Sequence, residues 1–359
     1  MTVKFTRPSI NIRETLDQLN KPSGIAGNAM LAADTPQEQF NLIGAGRKNL
    51  IINGGFDVWQ RGTTGSVVGG PEYVSADRWK LYVNASTTIY LNQQSFDAGQ
   101  TEVPGNPKYY GRFDWLGTGN SQFFGFEQLI EGVSHGAGDT LTVSFYARTE
   151  FGDDITLGVN QKFGSGGSAD VGAGNFDLIM DTTWKKFIVN VPMPSISGKT
   201  IGGGDSISMT WYRQGTLNSY LEIANVQVEV GKVATPFEHR SYGEELALCQ
   251  RYYYRLNVQA NTILMVGNSL SPTAAYYTLN LPQPLRATPT VSQSGFLNYR
   301  QRGASLNVTS TVTLGIPYYR LGASIMQIQT SSSGLSNMVQ TMLYTSTGNT
   351  GYIEVNAEL

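Results

Sequence analysis

Residues 141–147 read Leu-Thr-Val-Ser-Phe-Tyr-Ala, and this stretch decides the fold class. Leu141, Val143, Phe145 and Ala147 alternate with the residues between them, and a period of two is typical of a strand with one buried face. Residues 187–191 repeat the pattern. We therefore expect strands in this part of the chain.

The alternation of residues 221–230 slips by one position. Leu221 and Ile223 are apolar residues at odd-numbered positions. After Ala224-Asn225, the apolar run that begins at Val226 falls at even-numbered positions. One extra residue in a strand produces such a slip, so the pattern predicts a β-bulge.

Glycine-rich segments separate the apolar runs, for example at residues 163–169 and 201–205. Many short strands joined by such turns favour a sandwich or jelly roll. We assign residues 49–240 to a β-sandwich domain of this kind.

Residues 1–48 carry helix signals instead. Asn11 and Glu14 match a capping box, and Ile12, Leu16 and Leu19 form a short apolar stripe after it. A helix of this length cannot bury its stripe alone. The pattern predicts a short helical segment that anchors to another protein through those three residues.

Residues 241–359 form a third region. Ser241 and Glu244 make another capping-box match before a short helix, and residues 255–359 return to β-like alternation with few charges. We expect a second, C-terminal β-sandwich-like head. The predicted fold is therefore mainly β, with a short helical N-terminal segment.

Composition narrows the function classes. Charged residues make up 14% of the 359 residues and the formal net charge is −2, which gives no electrostatic case for a nucleic-acid or anionic-membrane partner. The single cysteine excludes an intrachain disulfide. The N-terminus lacks the apolar run of a signal peptide and no long apolar run occurs, so we expect no export signal and no membrane insertion.

The usual catalytic and cofactor motifs fail. His135 and His239 lie far apart in sequence without cysteine neighbours, which argues against a zinc site. The phosphate loop, dinucleotide fingerprint and EF-hand patterns are absent from the sequence. We predict no catalytic residue, no metal and no cofactor.

Glycan hydrolysis stays open as an alternative, because it needs only two carboxylates about 5 to 10 Å apart. The pairs that could supply them are Asp153 with Asp154, Asp177 with Asp181, and Glu127 with Glu131. A structural calcium ion also stays open, with Asn53, Asp77 and Glu229 as possible ligands.

Several motifs resemble a domain found in phage tail-fibre and other virion proteins. They are Asn49-Leu-Ile-Ile-Asn-Gly-Gly-Phe-Asp-Val-Trp-Gln-Arg-Gly62, Ser75-Ala-Asp-Arg-Trp79, Val143-Ser-Phe-Tyr-Ala-Arg148, Ala224-Asn-Val-Gln-Val-Glu-Val-Gly231, Ala234-Thr-Pro-Phe-Glu238 and Glu245-Leu-Ala-Leu-Cys-Gln-Arg-Tyr252. The opening segment also resembles jelly-roll carbohydrate-binding modules.

The resemblance implies a homotrimeric virion protein with a jelly-roll domain. Under this interpretation Gly54 and Gly55 supply a tight turn, Phe56 and Trp59 fill the core, and Asp77 and Arg78 fix a loop. The implied location is the tail of the virion.

Paired tyrosines are the best candidates for receptor contact, since sugar rings pack on aromatic faces. Neighbouring residues in a strand point to opposite faces, so one member of each pair can be exposed. The candidates are Tyr109, Tyr110, Tyr276, Tyr277, Tyr318 and Tyr319.

The leading hypothesis is therefore a trimeric tail fibre. Residues 1–48 would attach to a tail protein, and the remainder would bind a host-surface polysaccharide or other receptor. A capsid or tail decoration protein is the first alternative, and a polysaccharide-degrading enzyme is the second.

Overall fold

The computed structural model describes residues 32, 48–116, 123–214, 218–260, 262–294, 297–301, 307–308, 313–319, 322–331, 335–345 and 350–359. The predicted N-terminal stripe of Ile12, Leu16 and Leu19 lies outside the described residues.

The described chain is mainly β, which confirms the predicted fold class. The strands of the first unit are β1 Thr64–Glu72, β2 Lys80–Ser95, β3 Tyr109–Leu116, β4 Phe123–Glu131, β5 Thr140–Thr149, β6 Ile155–Lys162, β7 Val171–Leu178, β8 Lys185–Pro192, β9 Ser206–Gln214 and β10 Ser219–Val230.

The long strand β2 joins two sheets. Residues 80–83 pair with β4, and residues 88–95 pair with β3. The first sheet has the order β7-β6-β9-β4-β2 and the second has the order β2-β3-β10-β5-β8. Strand β1 runs beside β2 along both halves.

The inner faces of the two sheets pack against each other as a sandwich. Phe126 of the first sheet stacks on Phe113 of the second with ring centroids 3.6 Å apart, and Trp211 meets Phe145 at 5.7 Å. Burial of such large apolar side chains is the main stabilising contribution to the fold.

The predicted bulge in β10 is confirmed. The pairing between β10 and β5 shifts between Ala224 and Gln227, and Asn225 adopts a positive φ of 51°. The predicted turn after Asn53 also has a clear cause: a Cβ on Gly54 would lie 2.1 Å from the carbonyl oxygen of Val226. Only glycine allows that approach.

A helix, α1, spans Tyr242–Gln250 and begins with the predicted capping box. The Ser241 hydroxyl accepts from the Glu244 backbone, and the Glu244 carboxylate accepts from the Ser241 backbone. Both hydrogen bonds satisfy backbone amides that have no partner within the helix at its first turn.

The C-terminal strands form two further sheets around a second core. They are β11 Tyr253–Val258, β12 Ile263–Ser271, β13 Ala274–Asn280, β14 Thr290–Ser294, β15 Leu297–Gln301, β16 Asn307–Val308, β17 Thr313–Tyr319, β18 Ile325–Ser331, β19 Gln340–Thr345 and β20 Gly351–Asn356. The sheet orders are β11-β20-β14 and β16-β15-β19-β12-β13-β18-β17.

Buried charges connect the two units. Arg78 is 1% exposed and forms an ion pair with Glu358, while its guanidinium lies 3.6 Å from the ring centroid of Tyr252. Arg61 pairs with Glu358 at 3.3 Å and with Asp77 at 3.7 Å. The predicted loop-fixing role of Asp77 and Arg78 therefore extends to holding the C-terminal strands.

Candidate functional site

The outer face of the first sheet carries a groove. Inward positions of β4, β6 and β9 are filled by core residues such as Leu157 and Trp211, so the alternate positions face outward. The outward side chains leave a cavity of about 270 Å³. Its lining residues are Tyr82, Phe123, Glu127, Gly158, Asn160, Lys162, Asn175, Ser208, Thr210 and Tyr212. We call this cavity the outer groove.

Three aromatic rings border the outer groove. Phe123 and Tyr212 stack with ring centroids 5.2 Å apart and planes 26° apart. Tyr82 lies in the same cross-strand row, because Gly125 pairs with Tyr82 on one side and with Tyr212 on the other. All three rings are half-buried, so each is fixed by neighbours and still partly accessible.

Two glycines keep the groove open. A Cβ at Gly158 would lie 3.0 Å from the Asn175 side-chain oxygen and 3.3 Å from the Tyr212 ring. A Cβ at Gly125 would lie 3.3 Å from the Phe123 ring. Any larger residue at these outward positions would therefore project between the aromatic and amide side chains.

A buried carboxylate lies at the groove floor. Glu127 is 2% exposed, and its Oε2 accepts a hydrogen bond from the Ser208 hydroxyl at 2.9 Å. Lys80 approaches Glu127 to 3.5 Å and Lys162 approaches it to 3.7 Å. Burial, followed by the charge of Glu127, raises the pKa of the nearby Tyr82 phenol, so this hydroxyl stays protonated at neutral pH.

A second cavity of about 590 Å³ lies beside the outer groove, and its lining includes Tyr212 and Thr156. Asp153, Asp154 and Arg213 line it. Asp153 pairs with Arg213 at 2.7 Å and accepts from the Ser219 hydroxyl at 2.6 Å. Tyr212 is a lining residue of both cavities.

Several of the carboxylates considered for hydrolysis form ion pairs with neighbouring cations. Asp181 pairs with Lys185, and two atoms of the Glu131 carboxylate lie 2.9 and 3.0 Å from Arg251. Glu127 and Glu131 are four residues apart on one strand, which separates them by about 13 Å, beyond the range that glycosidases use.

Hydrogen bonds also set the state of Glu131. Burial acts to raise the pKa of this carboxyl, but hydrogen bonds from Tyr252 and Arg251 outweigh burial and lower it. Glu131 is therefore ionised at neutral pH. A glycosidase acid needs the opposite shift.

The residues suggested for calcium have protein donors instead. The Asn53 side-chain oxygen accepts from Val58, Asp77 accepts from the Gln60 backbone, and Glu229 accepts from the Thr235 backbone. The described part of the chain contains no group of three or more His, Cys, Asp or Glu residues placed to hold a metal ion.

The predicted tyrosines occupy different environments. Tyr110 and Tyr277 are buried in separate cores, where no ring face is accessible to a ligand. Tyr109 and Tyr276 are half-buried. The hydroxyl of Tyr319 accepts from the Leu285 backbone at 3.0 Å, and the Tyr318 side chain lies outside the described residues. Receptor contact stays a prediction for the accessible members.

Sequence reasoning missed the three aromatic residues of the outer groove. Tyr82, Phe123 and Tyr212 come from strands far apart in sequence, so no local pair marks them. The available signal was their phase, since each alternates with core residues such as Leu81, Phe124 and Trp211. Phase alone does not identify which strands become neighbours.

A further cavity of about 490 Å³ lies over the second sheet, between its outer face and residues 234–239. Its lining includes Tyr146, Lys186, Asn225, Phe237 and His239. No helix among the described residues combines the length and apolarity that crossing a membrane requires.

No protein-family model matches the sequence, and no curated protein matches it. Several solved structures do show similarity to the chain. The carbohydrate-binding module TmCBM61, solved in complex with β-1,4-galactotriose, is 16% identical and covers 51% of this chain and 98% of its own, with a TM-score of 0.30.

Two other solved structures give comparable values. A family 11 carbohydrate-binding module from Clostridium thermocellum, in complex with a mixed-linked tetrasaccharide, is 12% identical over 48% of this chain and 98% of its own, with a TM-score of 0.30. The enzymatically active domain of tailspike protein 4 from bacteriophage CBA120 is 12% identical over 51% of this chain and 21% of its own, with a TM-score of 0.33. Likeness at this level carries no argument about ligands, so the case for function has to come from the geometry of the outer groove.

Proposed function

We propose that this protein binds glycans through the outer groove and that it serves as the tail fibre of a phage particle. The observation that carries glycan binding is the row of Tyr82, Gly125 and Tyr212 across three strands, with Phe123 stacked on Tyr212. Rings held at the rim of an open groove offer apolar faces to the C–H faces of a sugar.

Polar side chains beside the rings supply the second requirement of sugar recognition. Asn160, Asn175 and Thr210 line the same groove, and their amides and hydroxyls can donate to and accept from sugar hydroxyls. No cofactor is needed for such binding.

The virion role rests on the sequence motifs that resemble phage tail-fibre proteins. Under this proposal the protein is a homotrimer in the virion tail, and residues 1–48 hold it to a tail protein. Three shallow grooves per trimer, and several fibres per particle, would provide avidity from individually weak contacts. A decoration protein remains the alternative function, and it predicts no glycan affinity.

Binding without hydrolysis is part of the proposal. Asp153, Asp181 and Glu131 each form an ion pair with a neighbouring cation. Ionised and paired carboxylates are poor proton donors, so we expect saturable binding with no release of sugar.

The test fills the groove without removing any ring. Gly158→Val adds a side chain that strands tolerate, and the Cβ would point at Asn175 and Tyr212. We expect its affinity for extracted host-surface polysaccharide to fall at least tenfold, as measured by calorimetry. Gly315→Val is the matched control, because no atom of the described residues lies within 4 Å of a Cβ at that strand position.

Equal loss in both variants, or loss only in Gly315→Val, would contradict a binding site in the outer groove. Electron microscopy of particles labelled with an antibody to this protein tests the virion role. Label at the tail supports a fibre, whereas label spread over the capsid would support the decoration alternative.

A further inference from the structure

The groove floor holds more cationic than anionic groups. Lys80 and Lys162 both approach Glu127, so two ammonium groups face one carboxylate. The formal charges of these three side chains sum to +1. Lys162 lines the groove and its side chain is 33% exposed, whereas Lys80 is 17% exposed.

The Glu127 carboxylate does not satisfy both lysines fully. Its Oε2 accepts from the Ser208 hydroxyl, and its Oε1 has no hydrogen-bond partner among the described residues. The ammonium groups lie 3.5 and 3.7 Å from the carboxylate, which is longer than a normal charge-assisted hydrogen bond. The Lys162 ammonium can therefore turn toward a ligand while Glu127 keeps its ion pair with Lys80 and its hydrogen bond from Ser208.

Glu131 lies in the same cross-strand row as Lys162, through Ser206, and forms an ion pair with Arg251. Further acids lie toward the other end of this face. Asp153 pairs with Arg213, and Asp154 lines the same adjoining cavity. Asp177 lies opposite Thr156 on the sheet edge and accepts from its hydroxyl at 2.8 Å. Lys162 and Lys80 therefore lie at one end of the groove, and Asp153 and Asp154 line the cavity beside Tyr212 at the other.

We propose that the outer groove selects glycans that carry carboxylates, and that Lys162 is the residue that recognises the acid group. The inference rests on the proposed glycan binding and adds the substrate class. A uronic-acid residue stacked near Tyr212 or Tyr82 would place its carboxylate within reach of the lysine end of the groove. Neutral glycans would keep the ring contacts and lose this charge pair.

A glycan array that pairs each uronic-acid oligosaccharide with its methyl ester tests the selection. Galacturonate, glucuronate and mannuronate oligomers cover the common stereochemistries, and esterification removes the charge while the sugar stays the same. We expect the full-length protein to bind at least one acid about five- to tenfold more tightly than its ester, the size of effect expected for a partly exposed charge pair.

The variants assign the preference to one residue. Lys162→Gln should bind the acid and its ester equally, Lys162→Arg should restore part of the preference, and Lys199→Gln should behave like the wild type. Lys199 is the matched control because it is an exposed lysine outside the groove. Raising the salt concentration should shrink the preference of the wild type.

Each outcome separates the two proposals. Equal binding of acids and esters by the wild type would overturn the carboxylate preference and leave glycan binding intact. A preference that survives in Lys162→Gln would overturn the role of Lys162. If the array shows no binding to any glycan, the proposed function fails together with the inference.

Discussion

The two sheets of the sandwich both carry aromatic residues on their outer faces, but they pack them differently. On the first sheet Tyr82, Phe123 and Tyr212 border a groove. On the second sheet Tyr110 and Trp184 pack with Phe96 as a small buried core, with centroid distances of 4.6 to 5.3 Å.

The outward positions beside these aromatic residues explain the difference. Glycines at 125 and 158 leave space on the first sheet. On the second sheet Glu222 pairs with Arg112 at 3.5 Å and with Arg148 at 2.6 Å, and these side chains fill the surface between the strands. An aromatic residue becomes a candidate for binding when small neighbours expose it.

The largest expected effect comes from the covered face. Trp184→Ala removes the ring that meets Phe96 and Tyr110, and we expect the free energy of unfolding to fall by about 3 kcal/mol. Chemical denaturation measures this change. Glycan affinity of the folded variant should stay within about twofold of the wild type; a large loss of affinity at full stability would place the ligand on the second sheet.

The second prediction concerns the buried acid where the sandwich meets the C-terminal strands. Burial raises the pKa of Asp77 to about 7, although Arg61 and Gln60 act to lower it. The folded state then binds a proton that the unfolded state releases near its ordinary value of 3.8. The free energy of unfolding should therefore fall as pH rises from about 4 to 7.

Asp77→Asn removes this titration, and the Asn oxygen can still accept from the Gln60 backbone. The difference in unfolding free energy between wild type and Asp77→Asn should shift in favour of the variant as pH rises across that range. Urea titrations at several pH values give the difference. A difference that does not change with pH would show that Asp77 keeps an ordinary pKa.

The third prediction concerns the open face. Tyr212→Ala removes the ring shared by both adjoining cavities, and we expect about a tenfold loss of glycan affinity, since one aromatic contact contributes about 1 to 3 kcal/mol. Because Tyr212 is half-buried, stability should fall less than in Trp184→Ala. Unchanged glycan affinity in a folded Tyr212→Ala variant would exclude the outer groove as the binding site.

The smallest effect on glycan affinity is expected at Tyr109, which the sequence analysis named as a candidate for receptor contact. Tyr109 is half-buried beside Lys108, whose ammonium lies 4.8 Å from its ring centroid, and it lies outside the groove. Tyr109→Ala should change glycan affinity by less than about twofold in the same titration. A loss equal to that of Tyr212→Ala would make the predicted tyrosine pair the better site.

Local patterns were sufficient for the strands, the bulge at Asn225 and the capping box of α1, because backbone alternation and capping depend on neighbours in sequence. The candidate site could not be predicted from local patterns in this way. Its row of Tyr82, Gly125 and Tyr212 depends on the pairing of strands 43 and 87 residues apart, which alternation does not specify. Gly125 and Gly158 would be expected to weaken their strands, because glycine has no side chain to pack, yet they are the residues that open the groove.

The most direct test of the account is to map a bound glycan by NMR on the deuterated protein, following backbone amides on both outer faces. We expect the amides of Gly125 and Gly158 to shift on titration with host-surface oligosaccharide, while those of Glu222 and Arg148 stay in place. Shifts confined to the second sheet or to the C-terminal strands, with Gly125 and Gly158 unchanged, would contradict the assignment of binding to the outer groove.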